Sequence, residues 1–438
     1  MDFVVIANAW SAGKDNPTSK HRIALELARR GHRVLWIEGS GMRAPSLGSG
    51  NDRLRMARKV GAALRGIRPA AGPGGDSDAM GGHLWVLSPL LLPLPRYAWV
   101  RRLNGLICRW SAGFWSWRLH FLDAILINYV PVLAEAMRGW HRAPRTAHDR
   151  PSPLNRGLAI YHCVDRWDAF KMYDSALMAE MDRRCCQYAD LVIASASELY
   201  DRCRVINPNT ALITHGVDYD HFYQAVSGEG AAAKGRTAVE AELVACGVPR
   251  GAPVVGFFGL LSEWVDQDLV VKLARTIPEA HLVLIGTADV PVARLQQVGN
   301  IHLLGPRPFK DLPQYIARFH VGMIPFVVND LTRSVNPIKL REMLSAGCPV
   351  VSTALPEVEK YVVAAEGAVR GMGSGPGVSV AHQADEFLGL IQAALTRPLS
   401  VERRRTISDS MRGETWEGKV GEILKLLDQP SEREGTSV

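Results

Sequence analysis

Residues 3–39 read FVVIANAWSAGKDNPTSKHRIALELARRGHRVLWIEG and set the fold class of the chain. A short apolar strand leads through a polar loop into a helical pattern that includes Ile23 and Leu27, and a second apolar strand follows. Gly31 is predicted to stop the helix. A strand, a helix and a strand within about forty residues form a βαβ unit, which implies a parallel sheet.

The same alternation of strands and helices continues along the chain. Further strands are predicted in the first half at 83–89, 124–130, 158–164 and 191–196, and in the second half at 253–259, 281–286, 301–306, 321–327 and 349–352. We therefore predict an α/β protein with two Rossmann-like, doubly wound parallel-sheet domains that face an interdomain cleft.

The length of 438 residues also favours two domains. The small and polar residues at 226–250 are predicted to form a linker. It would separate a first domain at 1–225 from a second domain at 251–405, and the last residues, 429–438, are predicted to be a frayed tail.

Composition bounds the class of protein. The seven cysteines show no C-x-x-C pair or metal-like spacing, which is typical of a reducing cytosol. The start MDFVVIANAW lacks the basic region of a secretory signal, and no run of eighteen apolar residues predicts a spanning helix. We expect a cytoplasmic protein.

The positive charge is concentrated in one segment. Residues 51–150 contain 15 Lys or Arg and 6 Asp or Glu, a net charge of +9. Within them, residues 84–120 interleave five tryptophans with five arginines, which suits peripheral contact with an anionic membrane. Base stacking would use the same residue types, and the plain alternative is that the tryptophans are core and the arginines merely solvated. We expect no nucleic-acid partner.

Polar clusters follow the strands at 11–16, 164–170, 259–268 and 329–339. Ligands of open parallel sheets bind beyond the carboxyl ends of strands, so these clusters are expected to meet at one site. In the last cluster, Pro337 fits the first turn of a helix whose N-terminus favours a phosphate. Arg333 and Lys339 add positive charge, and Glu342 lies one turn further on. The alternative is a capped surface helix with two solvated basic residues.

Five motifs carry a resemblance to a known family: YHCVDRWDAF (161–170), GFFGLLSEW (256–264), LIGTADV (284–290), LGPRPFKDLPQYI (304–316) and NPIKLREMLSAGCPVVSTALPEV (336–358). They resemble the two-domain (GT-B) glycosyltransferases, and more narrowly the bacterial cell-surface polysaccharide branch with its N-P-x-K-x-x-E motif. The resemblance covers almost the whole chain. It implies that a C-terminal helix, within 406–428, returns to the first domain.

The resemblance also implies a donor site. Lys339 matches the lysine that contacts the diphosphate, the segment from Ser334 to Asn336 would lie along the phosphates, and Glu342 matches the carboxylate associated with the ribose or sugar. The residues expected to contact the donor are Gly259, Glu263, Arg307, Arg333, Ser334, Asn336, Lys339, Leu340 and Glu342.

Two positions depart from the family pattern. Many relatives carry a second glutamate where this chain has Ser334, and the usual Gly-Arg pair is absent because Leu260 follows Gly259. Arg333 or Arg307 is expected to supply the missing positive charge. Glu263 is open to two interpretations, contact with a sugar hydroxyl or capping of the following helix.

The chemistry of transfer predicts further residues. A diphosphate leaving group needs its charge stabilised by a metal or by cations with a helix terminus. No D-x-D triplet stands at the end of a predicted strand, so we expect no metal and no other cofactor.

The acceptor hydroxyl needs a base, and the predicted catalytic residues are Asp165 and His162, with Asp168 as a weaker substitute for Asp165. Asp165 is alternatively a helix cap or turn residue, and His162 is alternatively buried and satisfied. Gly13 and Lys14 are candidates for phosphate contact, whereas Lys20 and His21 are expected on the face of the following helix.

These inferences predict a metal-independent glycosyltransferase of the hexosyltransferase type. It would move a sugar from a nucleotide sugar, with UDP as the expected nucleotide, to a lipid-linked or polysaccharide acceptor. It would act in cell-surface polysaccharide biosynthesis at the inner face of the membrane. The alternatives are a nucleotide-sugar 2-epimerase of the same fold, or a non-catalytic membrane-associated scaffold with a degenerate donor site.

Overall fold

The structure is a computed structural model, and it describes residues 1–10, 17–39, 42, 61–63, 66–70, 82–140, 156–227, 231–363, 377–397 and 399–428. The chain divides into two compact units. The first contains Met1–Thr214 and Val420–Val438, and the second contains His215–Lys419.

The first unit is built on an eight-stranded sheet. Its strands are β1 (Asp2–Ala7), β2 (Arg33–Glu38), β3 (Ile67–Pro69), β4 (Leu84–Leu87), β5 (Ala124–Asn128), β6 (Arg156–Cys163), β7 (Leu191–Ala194) and β8 (Thr210–Leu212). They lie in the order β3-β4-β2-β1-β5-β6-β7-β8, and every neighbouring pair is parallel except β3 with β4. The antiparallel edge strand β3 had no counterpart among the predicted strands.

Five helices flank this sheet along the described part of the first unit. They are α1 (Ser19–Arg29), α2 (Ala98–Arg118), α3 (Ala134–Met137), α4 (Ser175–Tyr188) and α5 (Ser197–Ile206). Helix α1 ends where Gly31 was predicted to stop it, and Gly31 adopts a φ of +80°, a conformation that glycine reaches without strain. The central strands are buried along their length, as in sheets covered on both faces.

The second unit contains a six-stranded, fully parallel sheet. Its strands are β9 (Val254–Phe258), β10 (His281–Ile285), β11 (Ile301–Gly305), β12 (Val321–Ile324), β13 (Val350–Thr353) and β14 (Val378–Ala381). Their order is β11-β10-β9-β12-β13-β14. The prediction of two α/β units with parallel sheets is therefore confirmed.

Helices surround the second sheet. They are α6 (Tyr219–Ser227), α7 (Ala231–Ala245), α8 (Gln267–Thr276), α9 (Ala293–Gln296), α10 (Leu312–Ile316), α11 (Asp330–Arg333), α12 (Ile338–Ser345), α13 (Pro356–Val363), α14 (Ala384–Thr396) and α15 (Val401–Asp409). Helix α16 (Trp416–Asp428) begins in the second unit, and its residues from Val420 onward belong to the first.

The structure differs from the expected domain boundaries. The first unit ends at Thr214 rather than at residue 225, and the expected linker at 226–250 contains helix α7. Alanine, glutamate and leucine favour a helix strongly enough to outweigh the small polar residues that suggested a linker. The segment 406–428 holds the end of α15 and the whole of α16, of which Val420–Asp428 lie in the first unit. The predicted tail at 429–438 lies outside the described residues.

Candidate functional site

The first candidate cluster lies at the carboxyl edge of the first sheet. Strands β1, β5 and β6 are neighbours, so the chain segments that follow them meet at this edge. Lys20 stands in the first turn of α1, Tyr129 follows β5 directly, and Asp165 follows β6. The ammonium nitrogen of Lys20 is 5.8 Å from the ring centre of Tyr129 and 5.0 Å from that of Trp167.

Asp165 is half-buried, and its pKa is raised. Burial raises this pKa from 3.8 to about 6, and the nearby charge of Lys20 limits the rise. The 3₁₀ turn at Trp167–Ala169 has Arg166 as its N-cap and shows no side-chain cap bond, so Asp165 is not the cap of this turn. A carboxylate with a pKa near 6 is a competent base at neutral pH.

His162 is buried, with 2% of its surface exposed. Its Nδ1 lies 3.1 Å from the hydroxyl of Tyr129, whereas no group in the described part of the chain hydrogen-bonds to its Nε2. Burial, and then the charge of Lys20, lower its pKa to about 3. His162 is therefore a neutral imidazole at physiological pH, and the alternative of a fully satisfied core histidine does not describe it.

The weaker candidate, Asp168, is held in ion pairs. Its carboxylate lies 3.5 Å from Arg166 and 3.4 Å from Arg202. These ion pairs occupy both carboxylate oxygens of Asp168, so the geometry favours Asp165 over Asp168. Gly13 and Lys14, the other first-unit candidates, lie outside the described residues.

Lys20 is the site residue that sequence reasoning missed. It was expected on the helix face, but it is buried, with 7% of its surface exposed. Burial lowers its pKa, and the charge of Asp165 partly offsets that effect. Its position could have been predicted from the sheet topology, because the first turn of the helix after β1 must lie at the same edge of the sheet as the end of β6.

The second candidate cluster lies at the carboxyl edge of the second sheet, where β9 and β12 are neighbours. Pro337 caps helix α12, and Lys339 lies in its first turn. The ammonium of Lys339 is 3.7 Å from Oε2 of Glu342 and 5.7 Å from the ring centre of Phe258. A lysine and a helix N-terminus at one point form a local positive field suited to phosphate.

Glu342 is buried but incompletely paired. It is 8% exposed, and none of the described residues donates a hydrogen bond to its Oε2. A buried carboxylate oxygen without a donor is costly, roughly 1–3 kcal/mol. A ligand hydroxyl would satisfy it, as the role implied by the resemblance requires.

Two glycines lie at the strand ends near Lys339. Gly259 follows β9 with a φ of +141°, and Gly286 follows β10 with a φ of +149°. A β-carbon at Gly286 would lie 1.8 Å from the carbonyl oxygen of Gly259. The two strand ends can approach each other this closely only because Gly286 has no side chain.

Three predicted donor contacts have buried side chains with internal roles. Leu340 is 1% exposed and belongs to the hydrophobic core. Ser334 is fully buried, and its hydroxyl lies 3.4 Å from the carbonyl of Asp330. Asn336 accepts a hydrogen bond from Arg341 and donates one to Glu357. Ser334 and Asn336 shape the loop before α12, whereas Leu340 packs α12 against the core. Direct donor contact by Lys339 and Glu342 remains a prediction.

Arg307 and Arg333, the two arginines expected to supply the missing positive charge, differ in their contacts and exposure. Arg307 is engaged by Glu242 through an ion pair and by the hydroxyl of Tyr315 at 2.9 Å. Arg333 ends helix α11 with an exposed side chain, five residues before α12 begins. This arrangement favours Arg333 and gives Arg307 a structural role.

Glu263 is half-buried and does not cap the following helix. Asp266 is the N-cap of α8, and its carboxylate accepts a hydrogen bond of 2.9 Å from the backbone of Leu269. The capping interpretation of Glu263 is therefore wrong, and contact with a sugar hydroxyl remains a prediction.

A further surface feature belongs to helix α2. Six large apolar side chains on this helix are exposed: Trp99, Leu103, Leu106, Trp110, Phe114 and Trp117. Their spacing of three and four residues places them on one stripe. The opposite face, which includes Asn104, Gly105 and Ala112, is buried. Among the described helices, none is long and apolar enough to cross a membrane.

Comparison with known proteins agrees with this architecture. Residues 252–393 match the family described as "Glycosyl transferases group 1". A protein of Bacillus subtilis (strain 168) named "Putative teichuronic acid biosynthesis glycosyltransferase TuaH" is 26% identical over 264 residues. That alignment spans 55% of this chain and 62% of the relative, which is less than two thirds of its length.

Solved structures match over nearly the whole chain. Sucrose-phosphate synthase from Thermosynechococcus elongatus has a TM-score of 0.64 at 14% identity, and 97% of this chain and 98% of that one are covered. HepE of Anabaena in complex with UDP and glucose has a TM-score of 0.59 at 14% identity, covering 98% and 99%. WaaG, a glycosyltransferase involved in lipopolysaccharide biosynthesis, has a TM-score of 0.58 at 12% identity, covering 98% and 100%.

The two parallel-sheet units and these structural matches define a protein of the GT-B fold. Residues 252–393, within its second unit, are similar to the glycosyl transferases group 1 family. The fold that the sequence motifs implied is thus confirmed.

Proposed function

We propose that this protein is a glycosyltransferase that moves a sugar from a UDP-sugar to a hydroxyl acceptor during cell-surface polysaccharide biosynthesis. One observation carries the proposal: the positively charged start of α12, where Lys339 stands beside the incompletely paired Glu342. The family of the second unit and the name of the Bacillus subtilis relative support the reaction class. The UDP complexes of a protein with the same fold support the choice of nucleotide.

The second unit binds the donor in this proposal. Lys339 and the backbone amides at the start of α12 stabilise the negative charge that grows on the diphosphate as the bond from phosphate oxygen to sugar breaks. Glu342 accepts a hydrogen bond from a hydroxyl of the ribose or sugar. Arg333 adds a second cation. Because these groups supply positive charge, we propose that transfer needs no metal, and activity that persists in EDTA would support this.

The first unit binds the acceptor. Asp165 takes the proton of the acceptor hydroxyl while that oxygen forms the new bond to the sugar and the nucleoside diphosphate leaves. A carboxylate that acts in this way requires inversion at the sugar carbon. Product analysis by NMR tests the assignment, since retention of configuration would contradict Asp165 as the base.

The acceptor is proposed to be lipid-linked, with the protein held at the inner face of the membrane. Helix α2 supports this because its exposed apolar stripe is flanked by the exposed arginines Arg96, Arg102 and Arg118. Apolar and aromatic side chains beside cations suit a helix lying in the plane of an anionic bilayer. The core alternative is wrong for Trp99, Trp110 and Trp117, each of which is more than half exposed.

The decisive experiment is a thermal-shift screen of the full chain against a panel of nucleotide sugars, followed by assay of transfer and hydrolysis with the most stabilising donor. Ligand stabilisation follows mass action, so the preferred donor gives the largest shift. Failure to bind any nucleotide would overturn the enzyme proposal and favour the scaffold alternative. Conversion of a UDP-sugar to its 2-epimer without transfer would favour the epimerase alternative.

A further inference from the structure

We propose that the first unit holds a binding site for an anionic group of the acceptor, a phosphate or a carboxylate, formed by Lys20 with His162 and Trp167 beside it. The inference rests on the proposed transferase function, because it specifies the chemical class of the acceptor. Nothing in the family match bears on it, since that match begins at residue 252.

Lys20 is a buried cation without an ionic partner. No carboxylate in the described part of the chain comes within 4.0 Å of its ammonium, and its close contacts are the ring faces of Tyr129 and Trp167. A cation gains some free energy over an aromatic face, but less than it loses when it is removed from water. The rings therefore compensate only part of the cost, and a bound anion would supply the remainder.

Two neighbouring groups have unused hydrogen-bonding capacity. Among the described residues, the indole Nε1 of Trp167 and the Nε2 of His162 have no hydrogen-bond partner, although these residues are only 5% and 2% exposed. Burial raises the pKa of the Tyr129 hydroxyl, which keeps its proton. When that hydroxyl donates to Nδ1 of His162, the ring proton lies on Nε2, and this is the tautomer that the proposal uses. The two ring N–H groups and the Lys20 ammonium can then bind a ligand that only accepts hydrogen bonds. Phosphate and carboxylate are ligands of this kind.

The position of Asp165 assigns this anion to the acceptor. Lys20 and Asp165 perturb each other's pKa, so they are electrostatic neighbours at one edge of the sheet. The proposed base must lie beside the reacting hydroxyl. A group bound at Lys20 therefore belongs to the molecule that carries that hydroxyl. The donor diphosphate has its own cation, Lys339, in the second unit.

The test uses the full chain with Lys339→Ala in every variant, so that the donor site does not contribute. Calorimetric titration with inorganic phosphate, methyl glucuronide and the neutral methyl glucoside measures affinity for each anion source against an uncharged control. We expect phosphate or glucuronide to bind and glucoside to bind at least about tenfold more weakly. The anion that binds identifies the source, a lipid-linked phosphate or an acidic sugar.

Lys20→Met should weaken anion binding by at least about tenfold, and Lys20→Arg should retain part of it. The matched control is Lys272→Met, which removes an exposed lysine paired with Asp385 in the second unit and should leave anion binding unchanged. Without anion, Lys20→Met should also unfold at a higher temperature, because methionine buries no charge. A higher unfolding temperature would show that Lys20→Met is folded and that its weaker anion binding does not come from unfolding.

Equal anion affinity in Lys20→Met and in its parent, or no anion binding by the parent, would overturn the inference. The titration contains no nucleotide, so its failure is distinguishable from failure of the proposed function. The latter would appear as absent UDP binding in protein with Lys339 intact.

Discussion

The side chain of Lys339 lies against the bare backbone of Gly259: a β-carbon at Gly259 would be 3.2 Å from Cε of Lys339. The absence of a side chain after β9 thus leaves room for the lysine that is proposed to contact the donor. This contact joins the end of β9 to the first turn of α12. The proposed donor site can therefore be tested by changing either Lys339 or Gly259.

Replacing Lys339 by methionine should weaken UDP binding by about 10- to 100-fold, the effect expected when a charge-assisted contact of ~1.5–3 kcal/mol is lost. Calorimetry with UDP measures this change. Thermal unfolding should change little, because the Lys339 side chain is 36% exposed. Lys272→Met provides the control for removal of a lysine, and equal UDP affinity in the two variants would contradict the donor site.

Gly259→Ala should impair the same site through the backbone. Alanine is strained at a φ of +141°, and its β-carbon would press on Lys339. We expect a loss of stability of about 1–2 kcal/mol together with weaker UDP binding. Gly251→Ala is the matched control, because Gly251 also has a positive φ, +77°, but open space around its β-carbon. If both variants bind UDP as the parent does, the proposed contact is incorrect.

Asp165→Asn should lower kcat by about 10²- to 10⁴-fold if Asp165 is the base. The base acts when deprotonated, so the activity of the parent should fall below pH about 6, the pKa to which burial raises this carboxyl. That limb should be absent from any residual activity of Asp165→Asn. Steady-state pH profiles decide the matter, and an unchanged acid limb would exclude Asp165.

The same substitution should stabilise the protein at neutral pH. The folded-state pKa lies above the ordinary value of 3.8, so the folded state binds the proton more tightly and loses stability as pH rises from about 4 to 6. Asparagine removes that cost, at most about 3 kcal/mol for a shift of this size. The unfolding midpoint of Asp165→Asn should therefore exceed that of the parent by more at pH 7 than at pH 4.

The membrane proposal predicts that Trp110→Gln with Trp117→Gln abolishes most binding to anionic vesicles in a flotation assay. These side chains are 77% and 56% exposed, so thermal stability should be unaffected. Val205→Gln, which removes an isolated exposed apolar side chain on α5, should float as the parent does. Unchanged flotation of the tryptophan variant would defeat the proposal.

Arginine replacements sharpen the same assay. Arg101 and Arg109 donate hydrogen bonds to backbone carbonyls of Pro95 and Arg138, so replacing them would disturb the fold. Arg102→Gln with Arg118→Gln removes exposed charges instead. Binding to anionic vesicles should weaken, whereas binding to neutral vesicles should remain the same.

Two glycines of helix α2 should respond oppositely to alanine. A β-carbon at Gly105 would lie 2.6 Å from Cβ of Glu135, whereas one at Gly113 meets nothing within 4 Å. Gly105→Ala should destabilise by about 1–3 kcal/mol through overpacking against α3. Gly113→Ala should stabilise by about 0.5–1 kcal/mol through helix propensity. Chemical denaturation measures both, and equal effects would contradict the packing of α2.

Much of the architecture was predictable because its determinants are local. About ten residues of sequence are enough to recognise an apolar strand that is bounded by glycine. The same length is enough to recognise a helix from the regular spacing of its apolar residues. The rule that ligands gather at carboxyl ends of parallel strands then located both clusters. The edge strand β3 escaped prediction because its three residues are too few to show a pattern.

The roles of individual polar residues were harder to read. Lys20 and Arg333 are both basic residues close to a helix terminus, yet one is buried and the other exposed. Arg307 was a reasonable donor contact until its partner Glu242, sixty-five residues away in sequence, was known. Pairing of this kind depends on tertiary packing, which the spacing of residues along the chain does not encode.

Helix α16 has a consequence for the order in which the protein can fold. Its residues from Val420 to Asp428 belong to the first unit, whose other part ends at Thr214. During synthesis the first unit therefore remains incomplete while the whole of the second unit is made, although domains generally fold as they emerge. Some two hundred residues separate the end of the first part of this unit from its final helix, so a chain that ends before Val420 would contain all of the second unit but lack part of the first.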